Sequence, residues 1–343
     1  MSSVPAADLA HILARTRALW SELAGTRLFI TGGTGFFGIW LLETIAAAND
    51  ALKVGVGATV LSRDPAPFLA RMRHLACRAE FDWLTGHPAS FAFPPGRHDY
   101  ILHLSTATSA HLGRTDPRLM LETKFASICH VLDYARHAGI HRMLATSSGA
   151  VYGPQPPELS HIPETYNGAP DPMDPASAYG QGKRLVEQMC AIATEVDCVI
   201  ARCFCFLGPH LPLDARFAAG NFLRDALAGG PIKVGGDGTP LRSYLYAGDL
   251  AAWLLTLLVK GRARHAYNVG SDNVVSIADL ARAVAATASG CAISIAERPA
   301  DQPVNRYVPA VTRAREELGL EVWTPLPDAL RRTFDWARQL AAG

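Results

Sequence analysis

The 343-residue sequence predicts an α/β protein built on a doubly wound parallel sheet, with a smaller α/β lobe in its C-terminal part. Three observations lead to this prediction. Short β-rich apolar runs alternate with helix-like stretches of roughly 12 to 20 residues, a pattern typical of parallel sheets covered on both faces. A glycine-rich turn joins the first apolar run to the first of these helices. The chain is also long enough to bury a large domain and a smaller lobe.

The first predicted elements lie on either side of the glycine-rich turn. Leu9, Ile12 and Trp20 fall at helical spacing and predict an amphipathic helix over residues 6–23. The β-rich run TRLFI (26–30) precedes the turn, and the helix-like run IWLLETIAAA follows it. Further strands are predicted for ATVL (58–61), YILHL (100–104), RMLAT (142–146) and CVIARCF (198–204), separated by helices near 65–79, 118–138 and 177–195. This order indicates successive βαβ units.

Beyond residue 205 the alternation becomes looser. Helices are predicted over 249–259 and 276–289, the second with Ser276 as N-cap because Asp279 lies three residues on. The Pro- and Gly-rich segment 153–175 predicts a long loop. We therefore divide the chain into three parts: a helical extension (1–25), the sheet domain (26–205) and a region that is mainly the smaller lobe (206–343).

Composition excludes several classes of protein. The 32 basic and 31 acidic residues give a formal net charge of +1, so no broad basic field is available for nucleic acid or anionic lipid. The apolar run at 250–259 is too short to cross a bilayer, and charges interrupt the N-terminal helix where a signal peptide would be apolar. The seven cysteines form neither a CxxC pair nor a Cys/His quartet, so free thiols and no metal are expected. We expect a cytoplasmic protein.

The turn TGGTGFFG places Gly32, Gly35 and Gly38 three residues apart, directly between a strand and a helix. This spacing allows a tight turn, a close backbone approach to a pyrophosphate, and close packing of the helix on the sheet. The N-terminus of the following helix offers unpaired N–H groups to phosphates. The sequence therefore predicts a dinucleotide site in a Rossmann domain, with Phe36 and Phe37 beside the glycines.

The end of the second strand decides between the two nicotinamide dinucleotides. A carboxylate there binds the ribose hydroxyls of NAD, whereas a basic residue accommodates the 2′-phosphate of NADP. The strand ATVL ends in Ser62 and Arg63, so NADP(H) is favoured and NAD(H) is the alternative. Asp64 would reverse this inference if the strand ended one residue later.

Three polar residues predict the chemistry. Ser148 ends the apolar strand RMLATSS, at the carboxyl edge of the sheet where such folds bind ligands. Tyr179 and Lys183 lie four residues apart on a helix, so both project from one face. We expect Ser148 to bind a substrate oxygen and Tyr179 to exchange its proton, with the Lys183 ammonium lowering the pKa of the phenol.

These motifs resemble the extended short-chain dehydrogenase/reductase family, which includes nucleotide-sugar epimerases, dehydratases and reductases. The resemblance covers about residues 26–340 and extends to FLGPHLP, GDGTPLRSYLYAGDLA and REELGL. It implies a nucleotide-sugar substrate, a homodimer formed through helices 118–138 and 177–190, and Ser148, Tyr179 and Lys183 as the catalytic group. It also implies a cofactor contact at Leu104 and substrate contacts at Thr106, Asn221, Arg242 and Arg298, the two arginines holding the diphosphate.

The sequence departs from the family pattern at several positions. His87 stands where the family usually has an Asp facing adenine, and Cys205 stands where an Asn commonly contacts the substrate phosphates. Lys124 stands where an Asn commonly supports the active-site helix. These departures concern cofactor and substrate contacts and leave the proton-transfer group in place.

The residues after Ser148 bear on the reaction. Family dehydratases carry Asp-Glu or Glu directly after the catalytic hydroxyl, whereas this chain has Gly149 and Ala150, so 4,6-dehydration and the related decarboxylation are not expected. Simple redox at a ring carbon remains. The strand end at Ser62 and Arg63 favours an NADPH-dependent 4-ketoreductase of an NDP-4-keto-6-deoxyhexose. An NAD-dependent 4-epimerase is the alternative, and a non-catalytic dinucleotide sensor or scaffold is the alternative of another class.

Overall fold

The computed structural model describes residues 4–104, 115–213, 217–288, 290–296 and 304–342. The α-helices are α1 Ala6–Arg15, α2 Trp20–Leu23, α3 Phe36–Leu52, α4 Ala66–Arg71, α5 Arg73–Ala76, α6 Pro117–Ala138, α7 Ala178–Ile192, α8 Ala218–Leu227, α9 Ala247–Lys260, α10 Ile277–Thr287, α11 Thr312–Leu318 and α12 Leu326–Ala342. The strands are β1 Arg27–Thr31, β2 Gly57–Ser62, β3 Phe81–Thr85, β4 Tyr100–His103, β5 Arg142–Ser148, β6 Asp197–Cys203, β7 Phe206–Leu207, β8 Ile232–Val234, β9 Leu241–Arg242, β10 Leu245–Tyr246, β11 Ala266–Val269, β12 Val275–Ser276, β13 Ile293–Ile295 and β14 Arg306–Tyr307. The predicted Rossmann-type α/β fold is confirmed.

The central sheet has seven parallel strands in the order β11-β6-β5-β4-β1-β2-β3. The chain runs outward from β1 through β2 to β3, and then returns to the other side of β1 for β4, β5 and β6. The strand order reverses between β1 and β4, which makes this pair the topological switch point of the sheet. Ligands of doubly wound sheets bind outside the carboxyl ends of the strands at this point.

The two faces of the sheet carry separate hydrophobic layers because successive strand residues point in opposite directions. Phe29 of β1 packs with Ile101, Met143 and the inward faces of α6 and α7. Leu28 and Ile30, its neighbours in the chain, point to the opposite face, where α3 and α9 cover the sheet. That second layer continues without a break into α8 and α10 of the C-terminal region. The smaller lobe therefore shares a core with the sheet domain.

The sheet extends beyond residue 205, where the sequence pattern loosens. Strand β11, at 266–269, pairs in parallel with β6 and forms one edge of the sheet, and α9 packs on the same face as α3. The division at 205 therefore does not separate the sheet from the rest of the chain. The sheet continues past residue 205 because of a crossover. After β7–β10, α9 carries the chain back across the sheet to β11.

The structure corrects two of the sequence predictions and confirms a third. The helix expected over 6–23 ends at Arg15, because Thr16 turns its hydroxyl back to the carbonyl of Ile12 and a 3₁₀ turn follows before α2. The helix expected over 65–79 is two short helices, α4 and α5. The N-cap at Ser276 is confirmed, since its Oγ accepts from the Asp279 N–H at 3.0 Å.

Candidate active site

The glycine turn forms a cradle for a pyrophosphate at the switch point. Gly32 has a φ of +74°, in the left-handed region that favours glycine. A Cβ on Gly38 would lie 2.2 Å from the carbonyl oxygen of Gly33, so only glycine allows α3 to pack this closely on the turn. Gly35 is the N-cap of α3 and has no side chain to bond the first N–H groups, which leaves them for an anionic ligand. These residues fit a bound dinucleotide.

The two aromatic residues after Gly35 contribute to packing. Phe36 and Phe37 are half-buried against the larger hydrophobic layer, and the Phe37 ring meets Phe206 edge-on at 5.1 Å. Leu104 is buried directly after β4, and its N–H donates to the carbonyl of Thr31. All three residues thus lie beside the carboxyl ends of β1 and β4, where their cofactor contacts were predicted.

The end of β2 lies where the cofactor prediction needs it. The strand ends at Ser62, whose Oγ is 3.4 Å from Oγ1 of Thr34 in the glycine turn. Asp64 is past the strand, and its carboxylate accepts from the Ala66 N–H at 3.2 Å, at the start of α4. Arg63 is exposed between them. The strand end therefore presents a hydroxyl and a guanidinium.

Ser148 and Tyr179 meet at the carboxyl edge of β5. The Ser148 Oγ accepts from the Ala150 N–H at 3.2 Å, and Ser148 lies close enough to the Tyr179 phenol of α7 to lower its pKa. Burial raises the pKa of Tyr179 to about 12, and the effect of Ser148 offsets only part of that shift. In the protein without ligands, the phenol therefore keeps its proton near neutral pH.

Lys183 is buried beneath this pair. Its side chain is 2% exposed, and its Nζ donates to the carbonyl of Thr146 at 2.5 Å. Burial, and next the charge of Lys124, lower its pKa to about 7. Burial dominates the pKa of Tyr179 here, so the expected lowering by Lys183 stays a prediction for the protein with its dinucleotide bound.

Lys124, noted in the sequence as a departure from the family, lies on α6 against the same cluster. Its side chain is 4% exposed, and its Nζ lies 4.6 Å from the centroid of the Tyr179 ring. Within the described part of the chain this nitrogen has no hydrogen-bond partner. Burial lowers the pKa of Lys124 to about 8.

Tyr307 is the residue that sequence reasoning missed. It comes from β14 in the C-terminal region, and its hydroxyl is 3.4 Å from the Ser148 Oγ. Its ring packs on Phe204 with centroids 4.6 Å apart. A Cβ on Gly149 would lie 2.6 Å from the Phe204 ring and 2.7 Å from the Tyr307 hydroxyl. The short run NRYVP carries no signal of this role, because only the pairing of β14 with β9 brings Tyr307 to Ser148.

Of the remaining predicted contacts, two lie on other elements and two lie outside the described residues. Asn221 of α8 accepts from Arg224 and lines a groove of about 240 Å³ with Lys233. Arg242 of β9 donates to the carbonyl of Leu241, and its charge opposes the burial that raises the pKa of Cys205 to about 11. Thr106 and Arg298 lie outside the residues that the structure describes.

Comparison with known proteins identifies the family. The family model described as "NAD dependent epimerase/dehydratase family" matches residues 28–270. The chain belongs to this family. Its relatives include NAD-dependent nucleotide-sugar decarboxylases, epimerases and dehydratases, and this epimerase/dehydratase family protein is an extended short-chain dehydrogenase/reductase enzyme, as the motifs indicated.

Curated and solved relatives agree with this assignment. UDP-glucuronic acid decarboxylase 1 of Xenopus tropicalis is 28% identical over 323 residues, covering 93% of this chain and 74% of that protein. A Streptomyces venezuelae dTDP-glucose 4,6-dehydratase with NAD and TYD bound aligns with a TM-score of 0.78 and 21% identity, covering 92% and 98% of the two chains. A Thermotoga maritima UDP-glucose 4-epimerase aligns with a TM-score of 0.76 and 19% identity, covering 92% and 100%. At these identities the structures support the fold of this family protein.

Proposed function

We propose that this family protein is an NAD(P)-dependent oxidoreductase of a nucleotide sugar, and specifically an NADPH-dependent 4-ketoreductase of an NDP-4-keto-6-deoxyhexose. One observation carries the proposal: Ser148 and Tyr179 meet at the carboxyl end of β5, and the positions after Ser148 hold no carboxylate. Hydroxyl, phenol and amine suffice for redox at a carbinol or carbonyl carbon, whereas elimination needs a further acid or base.

The reduction would use the chain's own residues as follows. Ser148 donates a hydrogen bond to the carbonyl oxygen of the sugar and orients it. Tyr179 gives its phenolic proton to that oxygen. Lys183, held by the carbonyl of Thr146, lies beneath the pair and supplies positive charge when protonated. The bound dinucleotide supplies the hydride.

The relatives named as decarboxylases and dehydratases raise two competing reactions. Gly149 cannot carry a side chain without displacing Phe204 or the Tyr307 hydroxyl, and Ala150 is apolar. Glu187, a carboxylate near β5, bonds to Ser147 and Arg202. These two bonds hold the carboxylate at Ser147 and Arg202 and not at Ser148. These contacts favour redox without elimination or loss of carbon dioxide.

The proposal also includes the choice of NADP(H) over NAD(H) as the cofactor. Arg63 is exposed at the end of β2, and Asp64 is engaged at the start of α4, an arrangement that suits a 2′-phosphate. The solved dehydratase relative has NAD bound. The 4-epimerase therefore stays the second candidate, since an epimerase of this family retains NAD and returns the hydride to the other face of the sugar.

Two experiments separate these candidates. Mass spectrometry of the dinucleotide that co-purifies identifies the cofactor. The purified protein is then given an NDP-4-keto-6-deoxyhexose with NADPH, and stoichiometric oxidation of NADPH is expected. Interconversion of UDP-sugars without added cofactor would instead favour the epimerase, and no reaction in either assay would favour the sensor or scaffold.

We also propose a cytoplasmic homodimer formed through α6 and α7. Leu119 and Phe125 of α6 are each 45% exposed, and Ile192 of α7 is 59% exposed. Burial of such side chains between paired helices would remove apolar area from water. Analytical ultracentrifugation of F125E should show a shift toward monomer. Among the described helices, none is long and apolar enough to cross a bilayer.

A further inference from the structure

Lys124 is a buried amine with an unusual environment. Two elements pack against it: α7 brings Tyr179, Gly182 and Lys183, and β4 brings His103, while Leu121 of its own helix lies nearby. Within the described residues, no carboxylate lies within ion-pair distance of its Nζ, and no hydrogen-bond acceptor reaches it. A buried ammonium without a counter-charge is unfavourable, so an unpaired one calls for an explanation.

We propose that Lys124 is a positioning residue for proton transfer: its ammonium lies on the face of the Tyr179 ring and stabilises the phenolate that remains after the phenol gives up its proton. The inference rests on the proposed role of Tyr179. In the reduction, the phenolic O–H bond breaks, the proton goes to the sugar oxygen, and the electron pair stays on the phenol. The bound dinucleotide is the reductant.

The chain makes room for Lys124 at one position of the active-site helix. A Cβ on Gly182 would lie 2.5 Å from Cδ of Lys124 and 3.3 Å from a methyl of Leu121. A Cβ at position 182 would therefore force the lysine side chain to shift from its place against the Tyr179 ring.

The titratable groups described around Lys124 are neutral or already paired, so the Tyr179 phenolate would be its counter-charge. Burial lowers the pKa of His103 to about 3, so this ring is neutral at physiological pH. Cys203, which faces Lys183 and Tyr179, has its pKa raised by burial to about 12 and stays a neutral thiol. Glu187 acts on Lys183 and is already bonded to Arg202. A cation on a ring face attracts a neutral phenol weakly and a phenolate more strongly.

The test measures ionisation of the ring at position 179 without substrate or dinucleotide. Tyr179 is replaced by a fluorinated tyrosine, whose lower intrinsic pKa makes it ionise while Lys124 still carries its proton. The phenolate is followed by its ultraviolet absorbance as pH is raised. We expect K124M to raise the apparent pKa by about one to three pH units, the range that a charge within a few ångströms produces. K124R keeps the charge and should stay within about half a unit of the parent.

Two further variants keep the result interpretable. K124Q is a second neutral replacement and should repeat the K124M shift. G182A pushes against the lysine and should raise the apparent pKa in the parent, but change nothing further in a K124A background, which lacks Cδ. Equal apparent pKa values in the parent, K124M and K124Q would overturn the inference. Because no substrate takes part, failure of the proposed reductase activity gives a different pattern: the ionisation shift persists while the NADPH assay is negative.

Discussion

Two polar regions lie near the carboxyl ends of β5 and β6, and they are built in opposite ways. The paired region contains Arg202, Glu187, Tyr152 and Asn268. Arg202 donates to Glu187 at 2.7 Å and to the Tyr152 hydroxyl at 2.8 Å. That hydroxyl donates to Asn268, whose amide donates to two backbone carbonyls. In this region each phenol, guanidinium and amide has a partner.

The active cluster of Ser148, Tyr179, Lys183 and Lys124 also combines a phenol with cations. Here Lys183 donates to a single backbone carbonyl, and Lys124 faces an aromatic ring in place of a hydrogen-bond acceptor. Both lysines have their pKa values lowered, whereas the pKa of Arg202 is raised by Glu187. The difference indicates that the paired region stabilises the fold, and it is consistent with the proposal that the active cluster keeps unsatisfied charge and protons for a ligand.

The largest effect is expected from Y179F. Loss of the proton donor should lower turnover by about 100-fold to 10,000-fold, the range typical of general acid–base groups, with little change in dinucleotide affinity. Steady-state rates and fluorescence titration with dinucleotide measure the two quantities.

The matched control is Y152F, which removes the phenol of the paired region. It should lower the free energy of unfolding by roughly 1 to 2 kcal/mol and leave turnover within a few-fold. Equal losses of turnover in both variants would abolish the distinction.

Removing the ion pair of the paired region should instead lower the free energy of unfolding. R202M leaves the Glu187 carboxylate without its guanidinium, and we expect the free energy of unfolding to fall by roughly 3 kcal/mol. Urea unfolding measures this change. The double variant R202M/E187Q should regain much of the loss, because the unpaired charge is then removed. A double variant no more stable than R202M would contradict an ion-pair origin.

K124M should change the free energy of unfolding in the opposite direction, by raising it. The pKa of Lys124 is about 8 in the folded protein and 10.5 in an unfolded chain, so the unfolded state binds more protons between these values. The destabilisation is therefore full below pH 8 and fades as pH rises toward 10.5. K124M should be more stable than the parent by roughly 2 to 3 kcal/mol near pH 7, with the difference lost near pH 11. Urea unfolding at a series of pH values tests this, and a difference independent of pH would contradict it.

The smallest effect is expected outside both regions. R63A removes the guanidinium at the end of β2 and should weaken NADPH binding by roughly tenfold, while NADH binding stays the same. Fluorescence titration with each reduced dinucleotide provides the measurement. Equal weakening of both would argue that Arg63 does not select for a 2′-phosphate.

Much of this architecture could be predicted from local patterns. The strands around the glycine turn, the end of β2 at Ser62, the end of β5 at Ser148 and the helix carrying Tyr179 and Lys183 all lie where the sequence indicated. Such features are local: a strand end, a turn that requires glycine or a four-residue helical spacing depends on neighbours in the chain. The edge strand β11 was not recognised, because AYNV is short and follows a segment without the regular alternation.

The sequence by itself determined the fold class, the glycine cradle and the chemical groups of the proposed proton transfer, since each follows from short-range geometry. Only the tertiary structure decided the surroundings of those groups. It brought Tyr307 from β14 to Ser148, Lys124 from α6 to the Tyr179 ring, and Glu187 to Arg202. These contacts join residues distant in the chain, and burial, which sets the pKa values of both lysines, depends on every element that excludes water from them.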